Sequence, residues 1–148
     1  METIAGRLIS AIHRKIYQRM QAKLKAYDID AGQFFFLRYL LQHQGIAQEE
    51  VAHNLRLDKA TVSKGIKRLE LLGYIRKEVN PADKRENHLF PTQKAIRIKD
   101  EIDEIYGEIN QFLFHDLSDE EISLLENILG KILYKFDELN KNQINDRE

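Results

Sequence analysis

The chain has 148 residues, of which 43% are hydrophobic and 32% charged, and its formal net charge is −1. This length suits one domain, or one domain with an extension, and the apolar fraction is sufficient for a substantial core. The absence of cysteine excludes a disulfide framework, a thiolate metal site and a thiol switch. Because the sequence has neither a signal peptide nor an apolar run of about 18 residues, we expect a soluble, cytoplasmic protein outside the membrane.

The charges are distributed unevenly along the chain. Residues 1–40 have seven basic and three acidic side chains, residues 41–96 ten and seven, and residues 97–148 six and fourteen, so the net charges are +4, +3 and −8. Such polarity would orient the chain on a polyanion. The simpler interpretation is that acidic surface helices are common and that a net charge of +3 is modest.

Two helices are predicted in the first part of the chain. Thr3–Lys25 has apolar residues at every fourth position from Ile4 to Leu24, which is the spacing of a long amphipathic helix. This stripe requires a packing partner. Asp30 is then placed to cap a second helix over Ala31–His43, and because this segment is apolar almost all round we expect it to be buried.

Two shorter helices at a tight turn follow. The spacing of apolar residues predicts the first of them over Gln48–Leu55. Asp58 is a suitable N-cap for the second, which starts at Lys59, and Gly73 is a suitable C′ residue to end it. This order predicts a helix-turn-helix.

The second helix of this pair has the character of a DNA-recognition helix. Val62, Ile66 and Leu69 form its apolar back. Its front, flanks and first turn carry hydroxyl and basic side chains that can contact bases or phosphates in the major groove: Lys59, Thr61, Ser63, Lys64, Lys67 and Arg68. Taken alone, an ordinary amphipathic helix with a solvated lysine face explains this pattern equally well.

A β-hairpin with a charged tip is predicted directly after this helix. Its strands are Tyr74–Val79 and Glu86–Phe90, and the residues Asn80-Pro81-Ala82-Asp83 between them are typical of a turn. The tip, Asp83-Lys84-Arg85, is a cationic group that can enter the minor groove of DNA. Ile46 is expected to add a one-residue strand to the same sheet. A charged hairpin loop is, however, common on any protein surface.

Two further helices are predicted after the hairpin. Thr92 caps one that continues to about His115, and Ser118 with Glu121 forms the capping box of a last helix that ends at about Leu139. Together with the N-terminal helix they carry more apolar surface than one compact module can cover. This favours packing between two subunits, and an all-helical monomer with a larger core is the alternative.

The order of these elements resembles the MarR (multiple-antibiotic-resistance regulator) family of winged helix-turn-helix transcription factors. The motifs that carry the resemblance are QEEVAHNLRLDKATVSKGIKRLELLGYI, residues 48–75, and the Asp83-x-Arg85 wing. Length and flanking helices also fit, so the resemblance covers nearly the whole chain. The chain departs from the family pattern at Ala47, where a Ser or Thr cap is usual, at Arg56, where Gly is usual, and at 91–95, where Leu-Thr-x-x-Gly is usual.

The resemblance implies a mainly α fold with a small β-hairpin wing. Within a single domain of residues 1–140, a winged helix-turn-helix at 29–96 is flanked by N- and C-terminal dimerisation helices at 1–28 and 97–140. Residues 141–148 are a polar tail.

The resemblance also implies the mode of action. A homodimer reads a pseudo-palindromic inverted repeat of double-stranded DNA, with the recognition helix in the major groove and Lys84 and Arg85 in the minor groove. Asp83 holds Arg85 by a charge-assisted hydrogen bond. The protein represses nearby genes, and a small aromatic effector releases it. Candidates for the effector site are aromatic and basic residues that core packing explains better: Tyr17, Phe34, Arg38 and Tyr39.

Enzymatic chemistry and cofactors are not predicted. The five histidines form no HExxH motif or ligand cluster, and the sequence has neither a Gly-rich phosphate loop nor a nucleophile elbow. The main alternative is a winged-helix protein–protein interaction module whose basic face meets an acidic partner, without sequence-specific DNA binding. The combination of a basic recognition face and a cationic wing tip favours the regulator, because a pure interaction module does not require both.

Overall fold

The structure of the protein is a computed structural model that describes the backbone of residues 2–145 and the side chains of residues 2–139. Its helices are α1 (Ala5–Leu24), a 3-10 turn (Lys25–Tyr27), α2 (Ala31–Gln42), α3 (Gln48–Leu55), α4 (Lys59–Leu71), α5 (Gln93–Arg97), α6 (Lys99–Phe114) and α7 (Asp119–Asn145). Its strands are β1 (Ile46–Ala47), β2 (Ile75–Val79) and β3 (Asn87–Pro91). The described residues divide into two compact units, one up to Ile109 and one from Asn110. The mainly α architecture with a small sheet confirms the predicted fold class.

A three-stranded antiparallel sheet carries the hairpin. The strand order is β1-β3-β2, so Leu89 of the central strand faces Ile46 on one side and Lys77 on the other. Leu89 is completely buried. The pairing of Ile46 with the hairpin confirms the short strand predicted there.

Each hairpin strand begins one residue later than the sequence pattern predicts. The N–H of Tyr74 donates to the carbonyl oxygen of Leu69 at the end of α4 (2.9 Å), and the N–H of Glu86 donates to the carbonyl oxygen of Asp83 in the turn (3.0 Å). Because a backbone N–H normally donates to one acceptor, neither of these N–H groups is available for a hydrogen bond between the strands.

The core of the first unit lies between α2, α4 and the sheet. Phe34, Leu37 and Leu40 of α2 are completely buried, as are Ile66 and Leu69 of α4. Burial of each such side chain stabilises the fold by about 1.5–3 kcal/mol. The apolar back predicted for the second short helix is therefore the face that holds it on the core. As predicted, α2 is buried on most of its surface, and Phe35 is its exposed large apolar residue.

Side chains cap the first two helices of this core as predicted. At α2, the N–H of Gln33 donates to the Asp30 carboxylate (2.8 Å), and the N–H of Asp30 donates to the Gln33 side-chain oxygen (3.1 Å). At α4, the carboxylate of Asp58 accepts from the N–H of Thr61 (2.8 Å). The C-terminal end of α4 is closed by Gly73, whose φ of +79° is the left-handed conformation that glycine adopts at lowest cost.

The helix predicted from Thr92 to His115 is interrupted, which corrects the prediction. Thr92 caps the short α5 by accepting a hydrogen bond from the N–H of Ala95 (3.4 Å), and the helix ends at Ile98 (φ −100°, ψ 8°). The N–H of Ile98 donates to the carbonyl oxygen of Ala95, three residues earlier (3.2 Å). Bonding of this kind tightens and closes a last helical turn, so α6 starts as a separate helix.

The second unit contains the end of α6 and all of α7. The predicted capping box is present, because the backbone N–H groups of Ser118 and Glu121 each donate to the other's side chain (2.9 and 3.2 Å). The helix continues past the expected Leu139 to Asn145, so residues 141–145 of the predicted polar tail are helical, and 146–148 lie outside the described residues. Every helix within residues 2–145 is too short or too polar to cross a membrane.

Candidate nucleic-acid interface

The exposed surface of α4 carries all six of the side chains that the sequence assigned to it. Val62, Ile66 and Leu69 attach the helix to the core. The remaining surface presents the exposed residues Lys59, Thr61, Ser63, Lys64, Lys67 and Arg68. The arrangement leaves a basic, hydroxyl-bearing face open to a ligand large enough to cover a helix.

Thr61 is more constrained than its exposure suggests. Its hydroxyl donates to one oxygen of Asp58 (2.6 Å) while its backbone N–H donates to the other (2.8 Å). The side-chain hydrogen bond from Thr61 is the main reason that the pKa of Asp58 lies below the ordinary value. Because the hydroxyl proton is committed to Asp58, Thr61 offers a lone pair and a methyl group outward. These suit a base amino group or a thymine methyl better than a phosphate, which needs a donor.

Arg68 lies apart from the other basic residues of α4. It borders a groove of about 320 Å³ together with residues of α1, the 3-10 turn and the start of α2: Gln21, Lys25, Asp28, Ile29, Asp30 and Gln33. Two of these neighbours are carboxylates. Ser63 lies about 140° away around the helix axis, given the helical repeat of about 100° per residue. The structure therefore places Arg68 and Ser63 on opposite flanks of α4, with Lys64 and Lys67 between them.

The turn between α3 and α4 closes through Arg56, at the position where the family pattern has glycine. Arg56 adopts the left-handed conformation (φ 53°, ψ 43°), and its N–H donates to the carbonyl oxygen of His53 (3.2 Å). The N–H of Leu57 donates to Ala52 (3.0 Å), which completes the helix end. A left-handed non-glycine residue costs roughly 1 kcal/mol or more, so the surrounding contacts impose this turn.

The wing tip is organised by backbone hydrogen bonds to side chains. The N–H of Ala82 donates to the Asn80 side-chain oxygen (3.0 Å), and the N–H of Arg85 donates to the Asp83 carboxylate (3.0 Å). Among the described contacts, the Asp83 carboxylate forms no ion pair with the Arg85 guanidinium. Asp83 therefore holds Arg85 by a charge-assisted hydrogen bond to its main chain, which orders the loop and leaves the exposed side chains of Lys84 and Arg85 pointing to solvent.

The wing and the recognition helix border the same cleft. Lys59 and Val62 of α4, Gln48, Glu49 and Ala52 of α3, and Arg85, Glu86 and Asn87 of the wing line a cavity of about 180 Å³. Two of the predicted DNA contacts, Lys59 and Arg85, thus line one depression. The sequence had placed them 26 positions apart without indicating that they share a surface.

At the base of the wing, three side chains that the sequence analysis did not select form a connected group. The Asn80 amide donates to the Glu86 carboxylate (2.6 Å), which lies 3.5 Å from Nε2 of His88. Nδ1 of His88 lies 2.8 Å from the carbonyl oxygen of Gly45, in the loop before β1. The available signal was the Glu86-x-His88 spacing, since residues two apart on a strand share a face.

The four candidates for an effector site are engaged with neighbouring protein groups. Phe34 belongs to the core. The Arg38 guanidinium lies 3.6 Å from the centre of the Tyr106 ring, and its Nε is 3.2 Å from the Asp103 carboxylate. Tyr39 stacks on His43 (4.2 Å between ring centres) and accepts a hydrogen bond from the Asn54 amide (2.8 Å). Tyr17 packs on His13 (5.9 Å). These contacts favour the structural explanation of the four residues.

The comparisons with known proteins agree with this architecture. The model of the MarR family matches residues 27–86. The HTH-type transcriptional regulator MgrA of Staphylococcus aureus is 31% identical over 114 residues, which are 77% of this chain and 76% of that protein. The uncharacterized HTH-type transcriptional regulator YybA of Bacillus subtilis is 32% identical over 92 residues, which are 62% of this chain but only 61% of that protein.

A solved structure of a protein bound to DNA is similar along almost the whole chain. The S. aureus MepR–DNA complex superposes with a TM-score of 0.82 at 29% identity, and covers 90% of this chain and 99% of that chain. The similarity therefore extends beyond the helix-turn-helix and the hairpin to the flanking helices.

Proposed function

The chain belongs to the MarR family of DNA-binding transcriptional regulators, and we propose that it acts as a homodimeric repressor that reads an inverted repeat. The recognition helix α4 enters the major groove and the wing enters the adjacent minor groove. The protein works in the cytoplasm, where its DNA is, and has no enzymatic role.

The observation that carries the proposal is the shared surface of α4 and the wing. An exposed face with Lys64 and Lys67 stands beside a wing tip with Lys84 and Arg85, and the walls of the cleft between them include Lys59 and Arg85. Double-stranded DNA is the ligand that fits, because its major groove admits a helix while the neighbouring minor groove attracts cations. A protein-interaction module without DNA binding explains neither the two-part cationic surface nor the DNA-bound structural relative.

The dimer is supported by apolar surface that a single chain leaves uncovered. At the N-cap and in the first half of α1, exposed apolar residues follow the helical repeat at Ile4, Leu8 and Ile12, each more than half exposed. A second stripe lies along α7: Leu125, Ile128, Leu129, Leu133, Phe136 and Leu139. A contiguous apolar stripe of this extent is a typical protein–protein interface. Two-fold pairing through these helices sets two recognition helices about 34 Å apart, one turn of DNA.

Repression and its release by an effector are the remaining parts of the proposal. A dimer bound over a promoter competes with RNA polymerase, and a small aromatic effector that changes the spacing of the two recognition helices releases it. The effector is part of the proposal through the family, since Tyr17, Phe34, Arg38 and Tyr39 already have protein partners.

A fluorescence-anisotropy titration tests the proposal. The duplexes are the DNA that flanks the protein's own gene and a random-sequence pool of equal length, each at two salt concentrations. We expect tighter binding to the flanking DNA, a steep loss of affinity with salt and two chains per site. Equal, weak and salt-insensitive binding to both duplexes would contradict a sequence-specific regulator.

Lys64 is predicted to select a base rather than to bind a phosphate. Its position opposite the buried face of α4 points it at the groove floor, where lysine recognises guanine acceptors. Lys64→Ala is expected to change the sequence selected from a random duplex library at one position of each half-site, at a cost of about 1–3 kcal/mol for the preferred base. Lys131→Ala, which removes an exposed lysine of α7 outside its apolar stripe, is the control. An equal loss of affinity on all sequences would instead identify Lys64 as a phosphate contact.

A further inference from the structure

The group at the base of the wing joins three separate segments of the chain. Asn80 stands at the start of the wing turn, Glu86 at its end, His88 in β3, and Gly45 in the loop between α2 and β1. We call the path from the Asn80 amide through Glu86 and His88 to the Gly45 carbonyl oxygen the wing-base bridge; its two ends are hydrogen bonds, and its Glu86–His88 step is a contact of 3.5 Å. It is one of the side-chain connections between the hairpin that carries Arg85 and the rest of the helix-turn-helix module, and the Lys77–Glu70 ion pair between β2 and α4 (3.8 Å) is another.

The protonation state of His88 decides whether this bridge is complete. A carbonyl oxygen only accepts hydrogen bonds, so Nδ1 must donate its hydrogen to Gly45. In the neutral ring Nε2 then carries a lone pair, and it faces the Glu86 carboxylate at 3.5 Å. Nε2 is buried from solvent and forms no hydrogen bond with the residues whose side chains the structure describes. Two acceptors therefore face each other at high pH, whereas in the cationic ring Nε2–H donates toward the carboxylate.

The charges around His88 favour the cation. Glu86 lies two residues before His88, and the negative charge of Glu50 in α3 also favours the protonated His88 ring. The residue paired with His88 across the hairpin is Glu78 of β2, which is ion-paired with Arg76. The neighbour of His88 in β1 is the uncharged Ala47. The hydrogen bond to the Gly45 carbonyl, followed by the contact with Glu86, raises the pKa of His88 above its ordinary value. The Asn80 amide, followed by His88, lowers the pKa of Glu86.

The raised pKa of His88 and the lowered pKa of Glu86 define the pH range in which the bridge is complete. Stabilisation by a group with a raised pKa is present below its unfolded value of 6.5 and is lost as the pH rises through the higher folded value. Stabilisation by Glu86 is present above 4.5 and is lost only as the pH falls through its lowered pKa. The bridge is therefore complete between these limits and opens as the pH rises through the raised pKa of His88.

We propose that His88 is a positioning residue of the wing, whose protonated form joins Glu86, at the end of the wing turn, to the α2–β1 loop and so sets Arg85 for DNA binding. The proposal rests on the proposed function, because positioning matters only if the wing contacts DNA. Its consequence is that DNA affinity decreases as the pH rises through the titration of His88. Phosphates close to the wing would strengthen this coupling, since they also favour the cation.

Two measurements test the two halves of the proposal separately. In the free protein, NMR of the imidazole nitrogens is expected to show hydrogen at Nδ1 in the neutral ring, a titration of His88 above the ordinary range, and a lower titration point in Glu86→Gln. An ordinary titration that Glu86→Gln leaves unmoved would overturn the bridge. This experiment needs no DNA, so it judges the bridge even if the proposed function is wrong.

The second measurement is the affinity for a duplex selected from a random library, at about pH 6 and about pH 8.5, on either side of the histidine pKa. Wild type is expected to bind about threefold or more tightly at the lower pH. His88→Asn keeps a neutral donor near the Nδ1 position and is expected to have a flat profile at the alkaline wild-type level, and Glu86→Gln a reduced slope.

His53→Asn, which removes an exposed histidine of α3, is the matched control and should keep the wild-type profile. A wild-type profile in His88→Asn, or a slope removed equally by His53→Asn, would overturn the positioning role. Absence of binding at both pH values in every variant would overturn the proposed function, and the positioning role with it.

Discussion

Replacing Phe136 by glutamate is expected to convert the protein into a monomer and to weaken specific DNA binding by about 100-fold or more, because the second half-site is then bound independently. Phe136 is 60% exposed in the single chain and lies in the apolar stripe of α7. A carboxylate there has no core to disrupt within one subunit, but in an interface it would be buried without a partner. Burial of an unpaired charge costs several kcal/mol, which is enough to prevent association.

Tyr134 is the matched control for this prediction. It is an aromatic residue of the same helix with a similar exposure of 57%, but it lies about 160° around the helix axis from Phe136, given the helical repeat. Tyr134→Glu should remain dimeric and bind DNA normally. Molar mass from light scattering, measured with DNA affinity, distinguishes the cases. A Phe136→Glu variant that stays dimeric, or one that is monomeric with full affinity, would contradict the dimer proposal.

Removing the side chain of Arg85 is expected to weaken DNA binding by about 1–3 kcal/mol at moderate salt. Arg85 is exposed, its main chain is fixed by Asp83, and its guanidinium is free of an ion pair with that residue. It is thus held in place by the loop while its charge stays available, which suits insertion into the negative potential of a minor groove. Titration of Arg85→Ala against a single high-affinity duplex measures the effect.

Arg97→Ala serves as the control for loss of one positive charge, since Arg97 is exposed on α5 and outside the wing. It should change the affinity little. If Arg85→Ala binds as tightly as wild type while the Lys64 and Phe136 variants are impaired, the wing does not contact DNA and recognition is confined to α4. Circular dichroism should be unchanged in both arginine variants, because neither side chain is part of the core.

The predictions from sequence succeeded where local chemistry decides the structure. Asp30 and Asp58 cap their helices, because a carboxylate placed one residue before a helical pattern meets unsatisfied N–H groups wherever the helix lies in the fold. Gly73 ends α4 in the left-handed conformation for the same local reason. The helical spacing of the apolar positions also determined which face of α4 is buried, and so which side chains remain for a ligand.

The sequence was less informative wherever several segments compete for one group. It assigned Thr61 to contacts with bases or phosphates, but in the structure the Thr61 hydroxyl donates its proton to Asp58. It expected a single helix after Thr92, and the helix divides at Ile98. It did not indicate that the Asp83 carboxylate bonds to the main chain of Arg85 rather than to its guanidinium.

The sequence by itself therefore determined the order of the helices, their caps, the basic face of α4 and the cationic wing, because each depends on residues within a few positions of one another. Only the tertiary structure decided that Lys59 and Arg85 share one cleft, and that His88 meets both Gly45 and Glu86. The strand register sets these contacts. It depends on where the chain returns after the turn, and a shift of one residue would send His88 to the opposite face of the sheet.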